Sequence, residues 1–126
     1  TPCGTLFPYT TLFRSMKKTR KAVNVNGPAF MNVLASCNRG WRHATQDTVE
    51  ITQLAVDTCY WPLFEVDHGE WKLSYRPKEK KPVRDWLKRQ GRFRHLFRPE
   101  NEHLIEAMQE EVDRRWEELL KRCGEA

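Results

Sequence analysis

A short apolar run, Pro28–Ala35, is the feature that most constrains the fold of this chain. It begins directly after Gly27 and is followed by the turn-forming sequence Asn38-Arg-Gly. A nearly continuous apolar run of this length between turn signals is typical of a strand that is buried on both faces of a parallel sheet. The sequence therefore predicts an α/β fold that contains such a strand.

A cysteine, Cys37, follows the predicted strand at its carboxyl end. In open α/β sheets, ligands bind beyond the carboxyl ends of the strands, so this thiol lies where such a fold places its chemistry. Free cysteines are also among the residues that are most often buried as small apolar side chains. From the residues alone, Cys37 is therefore either a functional thiol or a structural one.

Helical patterns and one hairpin pattern occupy the neighbouring parts of the chain. Residues Met16–Val23 predict the last turns of a basic surface helix, and Asp47, with Glu50 at capping-box spacing, predicts the start of another. The apolar face of that second helix is predicted to consist of Ile51, Leu54, Ala55 and Thr58. Trp61–Val66 and Trp71–Tyr75 flank the sequence Asp-His-Gly-Glu and predict a β-hairpin.

Two further helices are predicted towards the C-terminus. Pro82 is placed to begin a short helix, and Gly91 is placed to end it. The predicted apolar face of this helix is Val83, Trp86 and Leu87. The last helix is expected to run from about Pro99 to Arg122. Its predicted buried stripe, at intervals of four residues, is Leu104, Met108, Val112, Trp116 and Leu120.

Composition excludes several classes of function. The chain of 126 residues is the size of one domain, and its four cysteines form no Cys-x-x-Cys pair, so neither a disulfide framework nor a self-contained zinc site is predicted. No apolar run approaches the roughly 20 residues that span a bilayer, and a reduced, cytoplasmic setting is expected. The formal net charge of +5 is local, because Lys72–Arg98 is strongly basic whereas the residues after Glu100 are mostly acidic.

Five segments of the chain carry a resemblance to a known family. They are Gly27–Phe30, Leu34–Trp41, Cys59–Glu65, Arg76–Pro82 and Gln90–Leu96. In this order they resemble the C-terminal part of the β subunit of pyruvate:ferredoxin oxidoreductase and its 2-oxoacid relatives. The resemblance implies that residues 16–126 are the C-terminal piece of a thiamine-diphosphate-binding parallel-sheet domain, with a β-hairpin and C-terminal helices.

The resemblance also implies a role for Cys37 in cofactor binding. In this family, the cysteine after the corresponding strand is one of four ligands of a [4Fe–4S] cluster. The family usually has proline directly before this cysteine, whereas this chain has Ser36 there. The other three ligands, and the motif that binds thiamine diphosphate and Mg²⁺, are expected upstream, so the chain is expected to be a fragment that is inactive alone. Cys59 and Cys123 are expected to be structural.

The complete enzyme that the resemblance implies is an oxidoreductase with several partners. It oxidatively decarboxylates pyruvate or a related 2-oxoacid to acyl-coenzyme A and passes electrons to ferredoxin. The implied partners are the other subunits (α, γ, δ or fused equivalents), ferredoxin, coenzyme A and the 2-oxoacid, without nucleic acid or membrane.

Four side chains near Cys37 have expected roles. Arg39 and Arg42 flank the Cys37 loop, and they either stabilise a negatively charged cluster or face subunit carboxylates and solvent. Trp41 is expected to serve packing. His43 either stabilises the cluster in the same way or, as is more common for a lone histidine in a loop, is a surface residue.

The first fifteen residues differ in character from the rest. Leu6–Ser15 resembles the in-frame translation of a short-read sequencing adapter. Residues 1–15, including Cys3, are therefore predicted to be a non-native segment without function, attached to a truncated gene product. The alternative is a short native β-like segment, because Phe, Tyr and Thr favour strands.

Two other functions fit parts of the sequence. The basic segment Lys72–Arg98 contains Trp86, Phe93 and Phe97, and a mixture of cations and aromatic rings can contact phosphates and stack on bases. No recognised nucleic-acid-binding motif accompanies this segment. The second alternative is a subunit-interaction module that uses the aromatic hairpin as its contact.

Overall fold

The computed structural model describes residues 6–125, with side chains from residue 14 onward. Residues 1–5, including the predicted functionless Cys3, therefore lie outside the described range. The chain divides into two compact units, one that ends at Val33 and one that spans Leu34–Ala126.

The first unit contains one long helix. Helix α1 spans Leu6–Val23 and ends in a turn in which the Asn24 N–H donates to the carbonyl oxygens of Arg20 and Lys21. The prediction that Met16–Val23 forms the last turns of a helix is confirmed. Residues 6–15 are helical rather than extended, so the β-like alternative is wrong, and the non-native origin of residues 1–15 stays a prediction.

The predicted buried strand is the main error of the sequence interpretation. Residues 28–37 adopt neither helix nor strand, and the side chains of Phe30 and Val33 are 90% and 71% exposed. A parallel strand is stable only when neighbouring strands satisfy its backbone groups. The described residues supply no such neighbours, because their sheet is a two-stranded hairpin. A parallel sheet is therefore not part of the described residues.

The second unit combines short helices with the hairpin. Its α-helices and strands are α2 (Asn38–Trp41), α3 (Thr48–Asp57), β1 (Phe64–Asp67), β2 (Glu70–Leu73), α4 (Val83–Lys88) and α5 (Glu102–Arg122). Its 3₁₀ helices are Thr45–Asp47, Gly91–Phe97 and Pro99–Asn101. Within the described residues, no helix has both the length and the apolar character needed to cross a bilayer.

The predicted hairpin forms, with strands that are shorter than the predicted Trp61–Val66 and Trp71–Tyr75 and that include Asp67 and Glu70. Strands β1 and β2 are antiparallel, and Val66 pairs with Trp71 across the ladder. The two turn residues, His68 and Gly69, have φ angles of 50° and 87°. Two consecutive positive φ angles match the twist of the flanking strands, which is why glycine is favoured in such turns. The ring of Phe64 stacks on Trp71 at 5.4 Å between centroids.

The core of this unit lies between α3, α4 and α5. Its buried members are Ile51, Ala55, Cys59, Val83, Trp86, Leu87, Leu96, Ile105, Val112, Trp116, Leu119 and Leu120. The predicted face of α4 is thereby confirmed, and so is most of the predicted face of α3, with Leu54 only partly buried. In α5 the stripe begins one residue later than predicted, because Ile105 is buried whereas Leu104 is 40% exposed.

Two predicted helix starts differ in detail. Asp47 precedes α3 but makes no capping hydrogen bond, so the predicted capping box with Glu50 is wrong. Both carboxylates instead face Arg89, whose Nη2 lies 3.6 Å from Asp47 and 2.9 Å from Glu50. Pro82 precedes α4 as its N-cap residue with extended backbone. α4 ends at Lys88, before Gly91.

Candidate functional site

Cys37 lies at the N-cap of the single-turn helix α2, with its side chain exposed. The Gly40 N–H donates to its Sγ atom at 3.3 Å, and the Trp41 N–H donates to its carbonyl oxygen at 2.8 Å. An N–H group that points at the sulfur stabilises negative charge there, as backbone donors do at other helix N-caps. The turn therefore holds the thiol in one orientation and directs it away from the core.

The residues after Cys37 close this turn into a compact loop. The His43 N–H donates to the Asn38 carbonyl oxygen at 3.1 Å, and the Asn38 side-chain amide donates to the Thr45 hydroxyl at 3.0 Å. Arg42 occupies the left-handed region, with φ 56° and ψ 60°, which is a common conformation where a helix ends. The Cys37 loop, defined as residues 37–43, thus satisfies much of its own backbone.

The cations of the loop point outward. The side chains of Arg39 and Arg42 are exposed, and no carboxylate among the described residues lies within ion-pair distance of either guanidinium. The structure therefore leaves both of their proposed roles open. His43 is half-buried rather than a surface residue, because its ring packs at 6.4 Å from Trp41 and its Nδ1 lies 2.8 Å from the Ala44 carbonyl oxygen.

Trp41 links the loop to the core, as the sequence interpretation expected. Its ring is partly buried and meets Trp86 edge-on, with 5.8 Å between centroids. Trp86 is 2% exposed and also contacts Tyr60 at 4.3 Å and Phe93 at 6.4 Å. Aromatic pairs at these separations add about 0.5–1.5 kcal/mol each to the stabilisation from buried area. The inner side of the Cys37 loop is therefore an aromatic cluster.

A segment distant in sequence, residues 90–93, also contacts the loop. The Gly91 N–H donates to the Arg42 carbonyl oxygen at 3.0 Å. The Arg92 guanidinium lies over the Trp41 ring at 4.3 Å and over the Phe93 ring at 4.6 Å. Burial lowers the pKa of this guanidinium. Sequence reasoning assigned Gly91 only to the end of a helix and missed these contacts.

The other described cysteines lie elsewhere. Cys59 is 4% exposed in the core, and burial raises the pKa of its thiol from 9.0 to about 11. Cys123 follows α5 as its C-cap residue and packs against the core. Burial is the main cause that raises the pKa of the Cys123 thiol, and the negative charge of Glu125 is the second cause. A thiol that resists ionisation is a poor metal ligand, since the thiolate is the ligating form.

Comparison with proteins of known identity places this geometry in context. No protein-family profile matches the chain. Pyruvate synthase subunit PorB of Thermotoga maritima is 49% identical over 104 residues, which cover 82% of this chain and 32% of that subunit. The PorB subunit of Methanocaldococcus jannaschii is 42% identical over 98 residues, 78% of this chain and 32% of that subunit. Ketoisovalerate oxidoreductase subunit VorB of Pyrococcus abyssi is 41% identical over 108 residues, 84% of this chain and 33% of that subunit.

The chain is a homologue of one segment of the PorB and VorB subunits. It spans about a third of the length of each of these relatives. The resemblance to the β subunit of 2-oxoacid oxidoreductases, which the sequence motifs indicated, is confirmed for this segment.

The PorB-like segment has donor groups for only part of a metal centre. A [4Fe–4S] cluster is held by four ligands, most often cysteine thiolates. Within residues 6–125, no three His, Cys, Asp or Glu side chains come together in a way that could hold a metal ion. Cys37 has an exposed thiol on a hydrogen-bonded turn, which fits one ligand position. Any further ligands would have to come from outside the described residues.

The basic segment of this PorB homologue is paired in part with acidic side chains of the same unit. Five of its eleven Lys and Arg side chains form ion pairs there: Arg76 with Glu125, Lys80 with Asp113, Lys81 with Asp57, Arg84 with Glu102 and Arg89 with Glu50. Trp86 is buried, so its ring is unavailable for base stacking, and Arg84 lies over one face of the Phe97 ring at 5.4 Å. These contacts favour a structural role for the segment over nucleic-acid binding.

Proposed function

We propose that this chain is part of the β subunit of a 2-oxoacid:ferredoxin oxidoreductase that acts on pyruvate or a related 2-oxoacid. The observation that carries this proposal is the 49% identity to PorB over 104 residues. Other PorB sequences are 40–42% identical and the VorB sequences are 40–41% identical, so these identities do not separate pyruvate from a branched-chain 2-oxoacid. The complete enzyme would convert the 2-oxoacid to acyl-coenzyme A, with ferredoxin as electron acceptor and the other subunits as partners.

Within that enzyme, Cys37 is proposed to ligate one iron of a [4Fe–4S] cluster. Such a cluster, when bound, supplies one-electron transfer at a potential that the surrounding protein sets. The Gly40 N–H would donate to the ligating sulfur, as it does to the Cys37 Sγ in this structure. Hydrogen bonds to cluster sulfurs and nearby cations raise the potential, and the exposed Arg39 and Arg42 are the charged side chains of the loop itself.

The remaining parts of the active site are proposed to lie outside this chain. A single thiolate cannot replace four ligands, so the 126-residue chain alone is expected to bind no stable cluster and to be inactive. Thiamine diphosphate and Mg²⁺ would be bound by another part of the complete subunit.

The test is Cys37→Ser in the complete β subunit, assembled with its partner subunits. Serine presents a harder oxygen ligand than thiolate, so the cluster held through this position should be lost or weakened. Iron content should fall, and the low-temperature paramagnetic resonance signal of that cluster in the reduced complex should decrease. Thiamine diphosphate binding should be retained, and electron delivery to ferredoxin should collapse.

Cys59→Ser is the matched control, because it makes the same chemical change at a thiol in the core. This variant should keep its iron, although it loses some stability. A full complement of iron in the Cys37→Ser complex would contradict the ligand role and return Cys37 to the class of structural thiols.

A further inference from the structure

The Cys37 loop is held from its inner side by a segment that is far away in sequence. Gly91 forms the closest contact, because its N–H donates to the Arg42 carbonyl oxygen at 3.0 Å. A Cβ atom at Gly91 would lie 2.8 Å from both the Cβ and the carbonyl oxygen of Arg42. Since one of these atoms is backbone, no side-chain rotation relieves the overlap. The two backbone segments can approach this closely only when position 91 is glycine.

The residues on both sides of Gly91 fix its position. Gln90 is 1% exposed, and its side-chain amide donates to the Trp86 carbonyl oxygen at 3.0 Å. Its Oε1 accepts a hydrogen bond of 2.9 Å from Arg92 Nε. The guanidinium of Arg92 is thereby held over the Trp41 ring, at 4.3 Å. One short segment therefore contacts the loop at two consecutive residues, Trp41 through its ring and Arg42 through its backbone.

We propose that Gly91 is a positioning residue, which together with Gln90 and Arg92 orients the Cys37 loop for cluster binding. We call residues 90–92 the clamp. The two residues that it holds, Trp41 and Arg42, directly follow Gly40, whose N–H donates to the Cys37 sulfur. A displacement of Arg42 therefore moves the helical turn on which the thiol is mounted. This inference rests on the proposed function of Cys37, but the contact between Gly91 and the loop can be tested without it.

The test introduces Gly91→Ala into the complete β subunit within its assembled complex. The first measurement is hydrogen exchange of the loop amides, residues 38–43, by mass spectrometry of peptides. Overpacking of a close backbone contact should raise their exchange by roughly one to two orders of magnitude. The second measurement is the paramagnetic resonance signal of the reduced complex, which should shift or weaken as the ligand moves.

Two further variants keep the test interpretable. Leu119→Ala removes buried apolar volume from the last turn of α5, so it lowers stability while the residues of the loop and of the segment 90–92 stay unchanged. It should leave both the loop exchange and the resonance signal unchanged. Arg92→Met keeps an apolar stem but removes the guanidinium over Trp41, and it should change both readouts in the same direction as Gly91→Ala but less strongly. If the Gly91→Ala subunit does not assemble into the complex, Arg92→Met provides the test in its place.

Each outcome separates the clamp from the cluster assignment. Unchanged loop exchange in Gly91→Ala and Arg92→Met would refute the clamp. Raised exchange with an unaltered resonance signal would also overturn the positioning role, because the contact would then be structural only. If Cys37→Ser retains its cluster while Gly91→Ala raises loop exchange, the proposed function fails and the contact to the loop stands.

Discussion

Trp86 allows a quantitative test of how the core beneath the Cys37 loop is stabilised. Its side chain is 2% exposed, yet its indole N–H is a buried donor without a hydrogen-bond partner among the described residues. Two opposing contributions therefore meet in one side chain. The buried ring stabilises the fold, and the unpaired N–H costs about 1–3 kcal/mol of that stabilisation.

Two substitutions separate these contributions. Trp86→Ala removes the whole ring and should lower the free energy of unfolding by about 3–5 kcal/mol. Trp86→Phe removes two ring carbons, worth about 1.6 kcal/mol at roughly 0.8 kcal/mol each, together with the unpaired N–H. Because the gain from removing the N–H offsets the loss of carbon, Trp86→Phe should stay within about 1 kcal/mol of the parent chain.

Trp116→Phe is the matched control for this comparison. Trp116 is 9% exposed in the same core, and its indole N–H is not among the buried donors without a partner. The same loss of carbon should therefore cost about 1–2 kcal/mol there, without compensation. The assay is equilibrium unfolding in urea, with free energies compared at a constant slope against denaturant concentration. If Trp86→Phe proves clearly more destabilising than Trp116→Phe, the indole N–H of Trp86 has a partner in solution and the reasoning is refuted.

Three further predictions concern stability and reactivity. The folded-state pKa of Cys59, about 11, lies above its ordinary value of 9.0. The stability that the protonated thiol contributes should therefore be present below pH 9 and lost as pH rises towards 11. Cys59→Ala should reduce this decrease in the free energy of unfolding between pH 9 and pH 11. Trp116→Ala should cost about 3–5 kcal/mol and the exposed Glu118→Ala at most about 0.5 kcal/mol, and equal costs would show that the face of α5 is misassigned. Removal of residues 1–15 should leave the melting temperature unchanged, and a clear decrease would show that they are structural.

Features that depend on neighbouring residues were predictable from the sequence. The hairpin follows from the turn sequence Asp-His-Gly-Glu, because positive φ angles at His68 and Gly69 need no tertiary support. The buried face of α4 follows from the spacing of Val83, Trp86 and Leu87, which places them on one side of a single helical turn.

The stripe of α5 shows where a local pattern loses accuracy. Residues at intervals of four advance about 40° around an α-helix at each step, because each residue turns the chain by about 100°. From Leu104 to Leu120 the error accumulates to roughly 160°, so these two residues cannot lie on one face. The core therefore takes Ile105 and Leu119 into the stripe and leaves Leu104 40% exposed.

Features that depend on distant residues were not predictable. The run Pro28–Ala35 has the composition of a buried strand, but its backbone groups need partner strands that no local pattern supplies. The contact between Gly91 and Arg42 joins residues that are 49 positions apart, and neither residue signals it locally. A glycine near the end of a helix is typical of a helix cap, and only the fold shows that close backbone approach is its second use.

The contrast between Cys37 and Cys59 shows what distinguishes a candidate ligand from a core thiol. Both follow apolar segments and both are free cysteines. Cys59 lies in a core that disfavours the thiolate, as its raised pKa shows. Cys37 has a backbone N–H directed at its sulfur, and the main chain around it is bonded on the inner side, where Gly91 reaches Arg42. The Cys37 thiol is therefore both fixed by the surrounding turn and accessible from outside, which is the combination that a ligand shared with the rest of a larger subunit requires.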